Sequence, residues 1–416
     1  MPGPVVPFGK EFRNKYFTNI EDGVYPVNHG SYGLTPTPIH EKYLQYITEN
    51  AGYTDKFMKY TTKDIYINSL KTVANILQAD YHNFAFVENA TSGVNTVLRS
   101  IPLSKGDKIV IQSTVYGACG NTVKFLRNRY DIEMIVVEVN YPMTQEEIVA
   151  KFKKIFIIEK PKLCMFDAIT SMPGVVFPFE ELVKLCKKHN VLSLVDGAHG
   201  IGCIPFNLSE LQPDFFVSNL HKWFYVPFGC ATLYVDPKHH KHIHTMPISH
   251  SYLDDSVELS EEDEKNRFID RFWFTGTKNY ASIQVIPDAA KFRSEICGGE
   301  KVIHDYCHGL ARKVGDMVSK KWGTYFLDQT STMVTVEVPT ADFPEVVNDW
   351  LKIDNLVYNK MFEKKAYTPC ISHNGKLFAR FSCQIYNDLS DYEYASDVLI
   401  ETLKEVSNEK YRRAKL

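Results

Sequence analysis

From Phe84 to Val235 the chain alternates between short apolar runs and longer amphipathic ones. Phe84–Val87, Lys108–Gln112, Met134–Val139, Leu163–Ala168, Val191–Val195, Phe215–Val217 and Ala231–Val235 are short and apolar, rich in Val, Ile, Leu and Phe, so they read as strands. Thr122–Tyr130, Gln145–Ile158 and Phe179–His189 place apolar residues three to four apart with Lys or Glu between them, the spacing of a helix with one buried face. The strand runs are continuous rather than alternating, which demands cover on both faces of a sheet. The pattern therefore predicts an α/β layer fold around a mostly parallel seven-stranded sheet.

Around Lys238–Asn266 the pattern breaks into clustered histidines and then ELSEEDEKN, which predicts a solvated excursion. After Pro287 the character changes. A long helical stretch (Ala289–Lys320), a strand (Met333–Val338), a helix (Phe343–Lys352), a strand (Leu377–Ser382) and a final helix (Tyr392–Lys410) predict a smaller α+β domain. The expected organisation is a large domain over 31–286 and a small one over 287–416, with the N-terminal segment 1–30 packing on the small domain.

Composition changes little in this picture. A length of 416 residues supports a large core and two domains. The net charge of −3 offers no electrostatic footprint for nucleic acid or an anionic membrane, so neither is expected as a partner. No apolar run approaches the ~20 residues that span a bilayer, and MPGPVVPFGKEFRNKYF lacks the apolar centre of a secretory leader. Nine scattered cysteines without a CxxC pair fit reduced thiols inside a cell. The final Ala414-Lys415-Leu416 is a close variant of the Ser-Lys-Leu peroxisomal address, so the expected compartment is the cytoplasm or the peroxisomal matrix.

In open α/β sheets ligands sit beyond the carboxyl ends of the strands, and those ends carry the candidate chemistry. After Phe84–Val87, Ala90 and Thr91 open a helix whose free N–H groups suit a phosphate, although an ordinary N-cap uses the same residues. Tyr116 follows the second run as a core residue or a stacking face. Ser171 follows the fourth as a loop hydroxyl or a donor to a ligand oxygen. Asp196 ends the fifth, followed by His199. A carboxylate after so apolar a run is costly unless paired, so it is either a cap or a partner for a cationic ring nitrogen. Ser218, His221 and Lys222 follow the sixth; a buried lysine there is a nucleophilic amine. A lysine with an upstream aspartate is the arrangement that pyridoxal 5'-phosphate requires. The demands of that cofactor are then all met. Ala90, Thr91, Ser218 and His221 serve the phosphate, Tyr116 the ring face, and Asp196 the ring nitrogen. Ser171 and His199 serve the phenolic oxygen, and Lys222 the aldehyde.

The chain also resembles the class-V aminotransferase family, whose members are pyridoxal-phosphate enzymes of fold type I. The resemblance runs over nearly the whole length through NHGSYG (28–33), NATSGVN (89–95), DAITSMPG (167–174), VDGAHGIG (195–202), SNLHKW (218–223), FTGTKNY (274–280) and ARFSCQIYN (379–387). It implies a homodimer in which Gly276 and Thr277 reach the neighbour's cofactor phosphate. It assigns Arg380 to the α-carboxylate of an amino-acid substrate, a pairing that a guanidinium fork suits. It places Asn28, His29 and Tyr32 on the substrate side. Within the family the motifs are most similar to the branch of isopenicillin N epimerase-like proteins, hercynylcysteine sulfoxide lyases and cysteine desulfhydrase-like enzymes.

That branch implies α-proton removal by Lys222 and β-elimination of a sulfur leaving group, giving pyruvate and ammonia. Epimerisation and transamination use the same residues and stay open as alternatives, as does a non-catalytic binding protein of the same fold. Cys370 reads as a buried strand thiol rather than a persulfide carrier. His239, His240, His242 and His244 lack acidic or cysteine partners at ligand spacing, so no metal is expected.

Overall fold

A computed structural model describes residues 3–254 and 256–409. The C-terminal tripeptide therefore lies outside the described residues.

All seven expected strands form, in one sheet: β1 (Phe84–Val87), β2 (Lys108–Gln112), β3 (Glu133–Val137), β4 (Leu163–Asp167), β5 (Leu192–Asp196), β6 (Phe215–Asn219) and β7 (Ala231–Val235). Their order is β1-β7-β6-β5-β4-β2-β3. The neighbours from β3 through β6 pair in parallel, while β7 is antiparallel to both β6 and β1. The carboxyl ends of β1 to β6 therefore all open on one edge. Continuous apolar runs follow from burial on both faces. Val110, Cys164, Phe166, Val195 and Phe216 enter one core, whereas Ile109, Ile111, Leu163, Met165, Leu194, Phe215 and Val217 enter another on the opposite face. The expected α/β fold around a mostly parallel seven-stranded sheet is thus present, with a second, smaller antiparallel sheet.

That second sheet has the order β8-β10-β9, from β8 (Met333–Glu337), β9 (Cys370–His373) and β10 (Lys376–Ser382). It packs on the helices Glu300–Trp322, Trp350–Glu363 and Leu389–Ser407 around a separate core that includes Val334, Val336, Ile353, Phe381 and Leu399. Val27 O accepts from Ser382 N at 2.8 Å, Gly9 N donates to Ile385 O at 2.8 Å, and Arg13 pairs with buried Asp391 at 3.1 Å.

Several boundaries differ from the sequence expectation. β6 runs two residues past Val217, so Ser218 and Asn219 are strand residues. The helix expected from Thr122 starts at Gly117, because Gly117, Ala118 and Gly120 carry no apolar signal. The stretch Ala289–Lys320 is not continuous. It breaks at Gly298 and Gly299, whose φ values of 84° and 99° lie outside any right-handed helix. The helix expected over Phe343–Lys352 is two, Glu345–Asn348 and Trp350–Glu363. The excursion after Lys238 is also more ordered than expected. Its acidic run forms the exposed first turn of the helix Glu261–Trp273, where acid suits the N-terminus; Phe268, Ile269 and Phe272 of that helix are buried. His240 stacks on Phe268 at 4.4 Å, and His239 Nε2 donates to Asp214 at 2.8 Å.

Candidate active site

Lys222 sits in the one-turn helix Leu220–Trp223 that follows β6, and its Nζ lies 3.3 Å from His199 Nε2. Long-range contacts hold this turn. His29 Nε2 bonds the Lys222 carbonyl at 2.8 Å, and the buried Arg293 donates to the Trp223 carbonyl at 2.7 Å. Arg293 is held in turn by Glu300 at 2.6 Å. Gly33, at φ 85°, packs so tightly under the turn that a Cβ there would collide with the His221 carbonyl.

Burial pushes the Lys222 amine down to about 8. The nearby Arg380 charge adds to this, against the opposing pull of Asp196, Asp167 and Cys119. Asp196 ends β5, is 3% exposed, and accepts from Ala198 N at 3.0 Å and Cys119 Sγ at 3.3 Å. Asp167, its register partner at the end of β4, is equally buried. Burial raises both carboxyls, and the charge of Asp196 raises Asp167 further.

Arg380 on β10 is 2% exposed and reaches across from the small sheet. Its Nη1 donates to Ser171 O, and its Nη2 to Asn28 Oδ1 and Ser31 Oγ, each at 2.8 Å. Tyr116 stands half-exposed at the start of the helix Gly117–Tyr130.

Not every expected residue is free to serve a ligand. Ser218 is fully buried; its hydroxyl donates to Gly197 O at 2.5 Å and accepts from Ile201 N at 2.9 Å. The expectation that it serves a phosphate is therefore corrected: its one proton is already used. The Ala90 N–H is likewise taken, by Asn219 Oδ1 at 2.8 Å, and Asn89 Oδ1 takes the Ser92 N–H at 2.9 Å. Thr91 is left as the donor at that helix start. His221 commits Nδ1 to Cys230 O at 2.8 Å, leaving Nε2 for a ligand.

His29 is also corrected. It is 2% exposed and lies under the lysine turn instead of lining the pocket. A carbonyl accepts from its Nε2, so Nδ1 accepts from the Tyr386 hydroxyl at 2.9 Å. Burial pushes it down to about 3, which keeps it neutral in this role. Asn28 touches Arg380, whereas Tyr32 is 71% exposed at the rim. Gly276 and exposed Thr277 lie in the loop before Tyr280, with open space around Gly276. Cys370 is buried at the start of β9.

Sequence reading overlooked Asp167, Cys119, Asn219, Ser31, Trp223 and Arg293. Asp167 ends an apolar run as Asp196 does, and that signal was present. Cys119, Asn219 and Trp223 meet their partners only across long stretches of chain, whereas Ser31 and Arg293 join local partners, Asn28 and Glu300, to distant ones. Among the described residues, Asp167 Oδ1, both Gln112 amide atoms and Arg380 Nε are buried without a hydrogen-bond partner. Such orphaned groups at the open edge of a sheet mark a ligand site. An amine, a paired acid, an open aromatic face and a buried guanidinium fit an amino acid joined to pyridoxal phosphate.

The class so defined is a lysine-dependent enzyme of fold type I. The class-V aminotransferase model matches residues 34–391, and the chain belongs to that family of pyridoxal-phosphate enzymes. It is 31% identical to the hercynylcysteine sulfoxide lyase of Schizosaccharomyces pombe over 94% of this chain and 97% of that one. It is 29% identical to an L-cysteine desulfhydrase-like protein of Epichloe uncinata, with 97% of each chain covered. Among solved structures, the cystine C-S lyase C-DES in complex with its product cysteine persulfide superposes with a TM-score of 0.75 at 18% identity, covering 93% of this chain and 99% of that one. Within that family the chain is thus similar along its length to proteins named as a lyase and as cysteine desulfhydrase-like.

Proposed function

We propose that the protein cleaves the Cβ–S bond of a cysteine S-conjugate or cysteine sulfoxide, of the hercynylcysteine sulfoxide type, releasing pyruvate and ammonia. The observation that carries this reading is the placement of the Lys222 amine after β6, 3.3 Å from His199, with the buried Asp196 and Arg380 acting on its charge. Similarity along the whole chain to proteins named for C–S chemistry supports the sulfur leaving group.

The cofactor, when bound, supplies the electron sink for a carbanion at the substrate Cα. Arg380 binds the α-carboxylate, and Asn28, Ser31 and the Ser171 carbonyl fix the plane of its guanidinium. Lys222 Nζ, as a free base, takes the Cα proton. The Cβ–S bond then breaks with its electron pair on sulfur, which takes a proton as it leaves. The enamine of the remaining three-carbon fragment hydrolyses to pyruvate and ammonia. Asp196, whose carboxylate Cys119 and the Ala198 N–H keep in place, would hold the cofactor's ring nitrogen cationic. Thr91, His221 and, from a neighbouring subunit, Gly276 and Thr277 would hold its phosphate, Tyr116 would offer its ring a stacking face, and His199 and Ser171 would serve its phenolic oxygen.

That assignment entails a homodimer. The exposed Tyr53, Tyr60, Phe228 and Ile248 are the kind of surface a second subunit covers. Light scattering of the purified protein is expected to give twice the chain mass. The compartment we propose is the cytoplasm or peroxisomal matrix; a fluorescent fusion with the Ala-Lys-Leu end free or capped separates the two.

The deciding assay gives the full-length holoenzyme a panel of cysteine conjugates and sulfoxides, read for pyruvate, ammonia and D-isomers together. Stoichiometric pyruvate and ammonia are expected. D-isomer without pyruvate, or keto acid without a freed sulfur fragment, would replace elimination by epimerisation or transamination.

A further inference from the structure

Trp223 and His199 form a short chain that ends on the lysine. Trp223 Nε1 donates to His199 Nδ1 at 3.1 Å, and His199 Nε2 lies 3.3 Å from Lys222 Nζ. Trp223 is fully buried and His199 is 2% exposed. An indole nitrogen only donates, so Nδ1 holds a lone pair. Burial, assisted by the Lys222 charge, holds His199 well below its usual range and keeps it neutral. Its single proton therefore sits on Nε2 and points at the amine.

We propose that Trp223 is a positioning residue: it locks His199 as the Nε2–H tautomer and so makes the Lys222 nitrogen an acceptor, the free base. An ammonium at Lys222 would face an N–H. To accept from it, His199 would have to move its proton to Nδ1 and lose the Trp223 bond. Protonation of the lysine and loss of the indole bond are thereby one event.

Other groups also face the amine. Arg380 from β10 opposes its protonation, whereas Asp167 from β4, Asp196 from β5 and Cys119 from the helix Gly117–Tyr130 favour it. His29 and His221, on either side of the turn, are both pushed down by burial. The acids alone would hold a cation; the indole and imidazole work against them by geometry.

The inference rests on the proposed role of Lys222, but the tautomer is readable without turnover. In the full-length holoenzyme labelled with 15N-histidine, His199 is expected to show a bare Nδ1 and a protonated Nε2 from about pH 6 to about pH 9. Its signal is identified by its loss in His199→Gln. Trp223→Phe is expected to populate the Nδ1–H form. The lysine nitrogen then keeps its proton to higher pH, moving the midpoint of the cofactor's visible band up by about one to two units, the equivalent of one charge-assisted hydrogen bond. In His199→Gln the amide oxygen accepts from Trp223 and the NH2 donates onward, so the midpoint is expected to move less than in His199→Leu, which can do neither. A wild-type His199 protonated on Nδ1 overturns the proposal, as does an unchanged midpoint in Trp223→Phe. Where Trp223→Phe does not fold, His199→Leu replaces it: equal midpoints for the Gln and Leu variants overturn the proposal. A tautomer as stated in a protein that never takes up the cofactor would sink the site reading and leave the tautomer lock standing.

Discussion

The two edges of the large sheet each bury aspartate, and the two respond to burial in opposite ways. At the amino edge Asp214, just ahead of β6, is 6% exposed and fully engaged. It accepts from Ser193 N and Oγ at 2.9 Å, from His239 at 2.8 Å, and pairs with Lys238 at 2.8 Å. Burial alone would raise its carboxyl, but the hydrogen bonds from His239, Lys238 and Ser193 outweigh it and hold it well below the usual range. At the carboxyl edge Asp167 and Asp196 are equally buried, share each other's field, and are raised. One oxygen of Asp167 has no hydrogen-bond partner among the described residues. Residue type and burial are the same; completeness of partners differs. A buried carboxylate with every lone pair answered is structure. One left short, at the strand ends where ligands enter, waits for a charge from outside the chain.

The comparison breaks hardest at its cationic pole. Lys222→Ala is expected to cut kcat by about a thousandfold or more while the circular dichroism of a folded chain persists. Pyruvate release at the normal rate would remove Lys222 from the chemistry. Borohydride reduction of the holoenzyme is expected to bleach the wild type and label Lys222, and to leave the variant unlabelled.

Next in size is the substrate fork. Arg380→Ala removes a charge-assisted pair to the α-carboxylate, and KM is expected to rise by about ten- to a hundredfold with a smaller change in kcat. An unchanged KM across α-amino acids would assign the carboxylate elsewhere.

Asp214→Ala inverts the effect: stability falls and chemistry stays. Removing one charged acceptor from its donors is expected to destabilise the fold by about 1.5–3 kcal/mol, with kcat per folded molecule unaltered. Because the folded-state pKa is depressed, this stabilisation is fully present above the unfolded value of about 4 and fades as pH falls through the folded value. Denaturant curves for wild type and variant are therefore expected to converge in acid. A constant gap down to about pH 2 would mean that Asp214 acts by packing alone.

These sites differ in how far the chain alone reveals them. Lys222 and Asp196 stand out in the chain because each is a charged residue after an apolar strand run, and the strand pattern is local; Arg380 enters only through the family resemblance. Which donors remain free was not legible. Ala90 loses its N–H to Asn219, 129 residues away, and His29 finds the Lys222 carbonyl across 193 residues. Arg293 reaches Trp223 across 70 residues, and Glu300, which holds it, lies beyond a helix break at Gly298–Gly299 that apolar spacing ran straight over. Periodicity reports which face of an element is buried, not which long-range partner consumes a polar group on it. The helix Glu261–Trp273 was missed for a related reason. Four acids in its first turn mask the Phe268, Ile269 and Phe272 stripe behind it.

The smallest expected effect is the most direct test of the contrast between the edges. Asp167→Asn keeps the shape of the neutral acid and removes the possibility of charge. The sign follows from the raised pKa. The folded state binds its proton more tightly than the unfolded chain, so wild-type stability falls as pH rises from about 4 through the folded-state value. The asparagine variant has no such loss. Its cofactor-free form is expected to match the wild type in acid and to melt about one to three degrees higher near neutral pH, the opposite of Asp214→Ala. A variant that melts lower at every pH would mean that Asp167 is held by partners as complete as those of Asp214, and the difference between the two edges would be one of position alone.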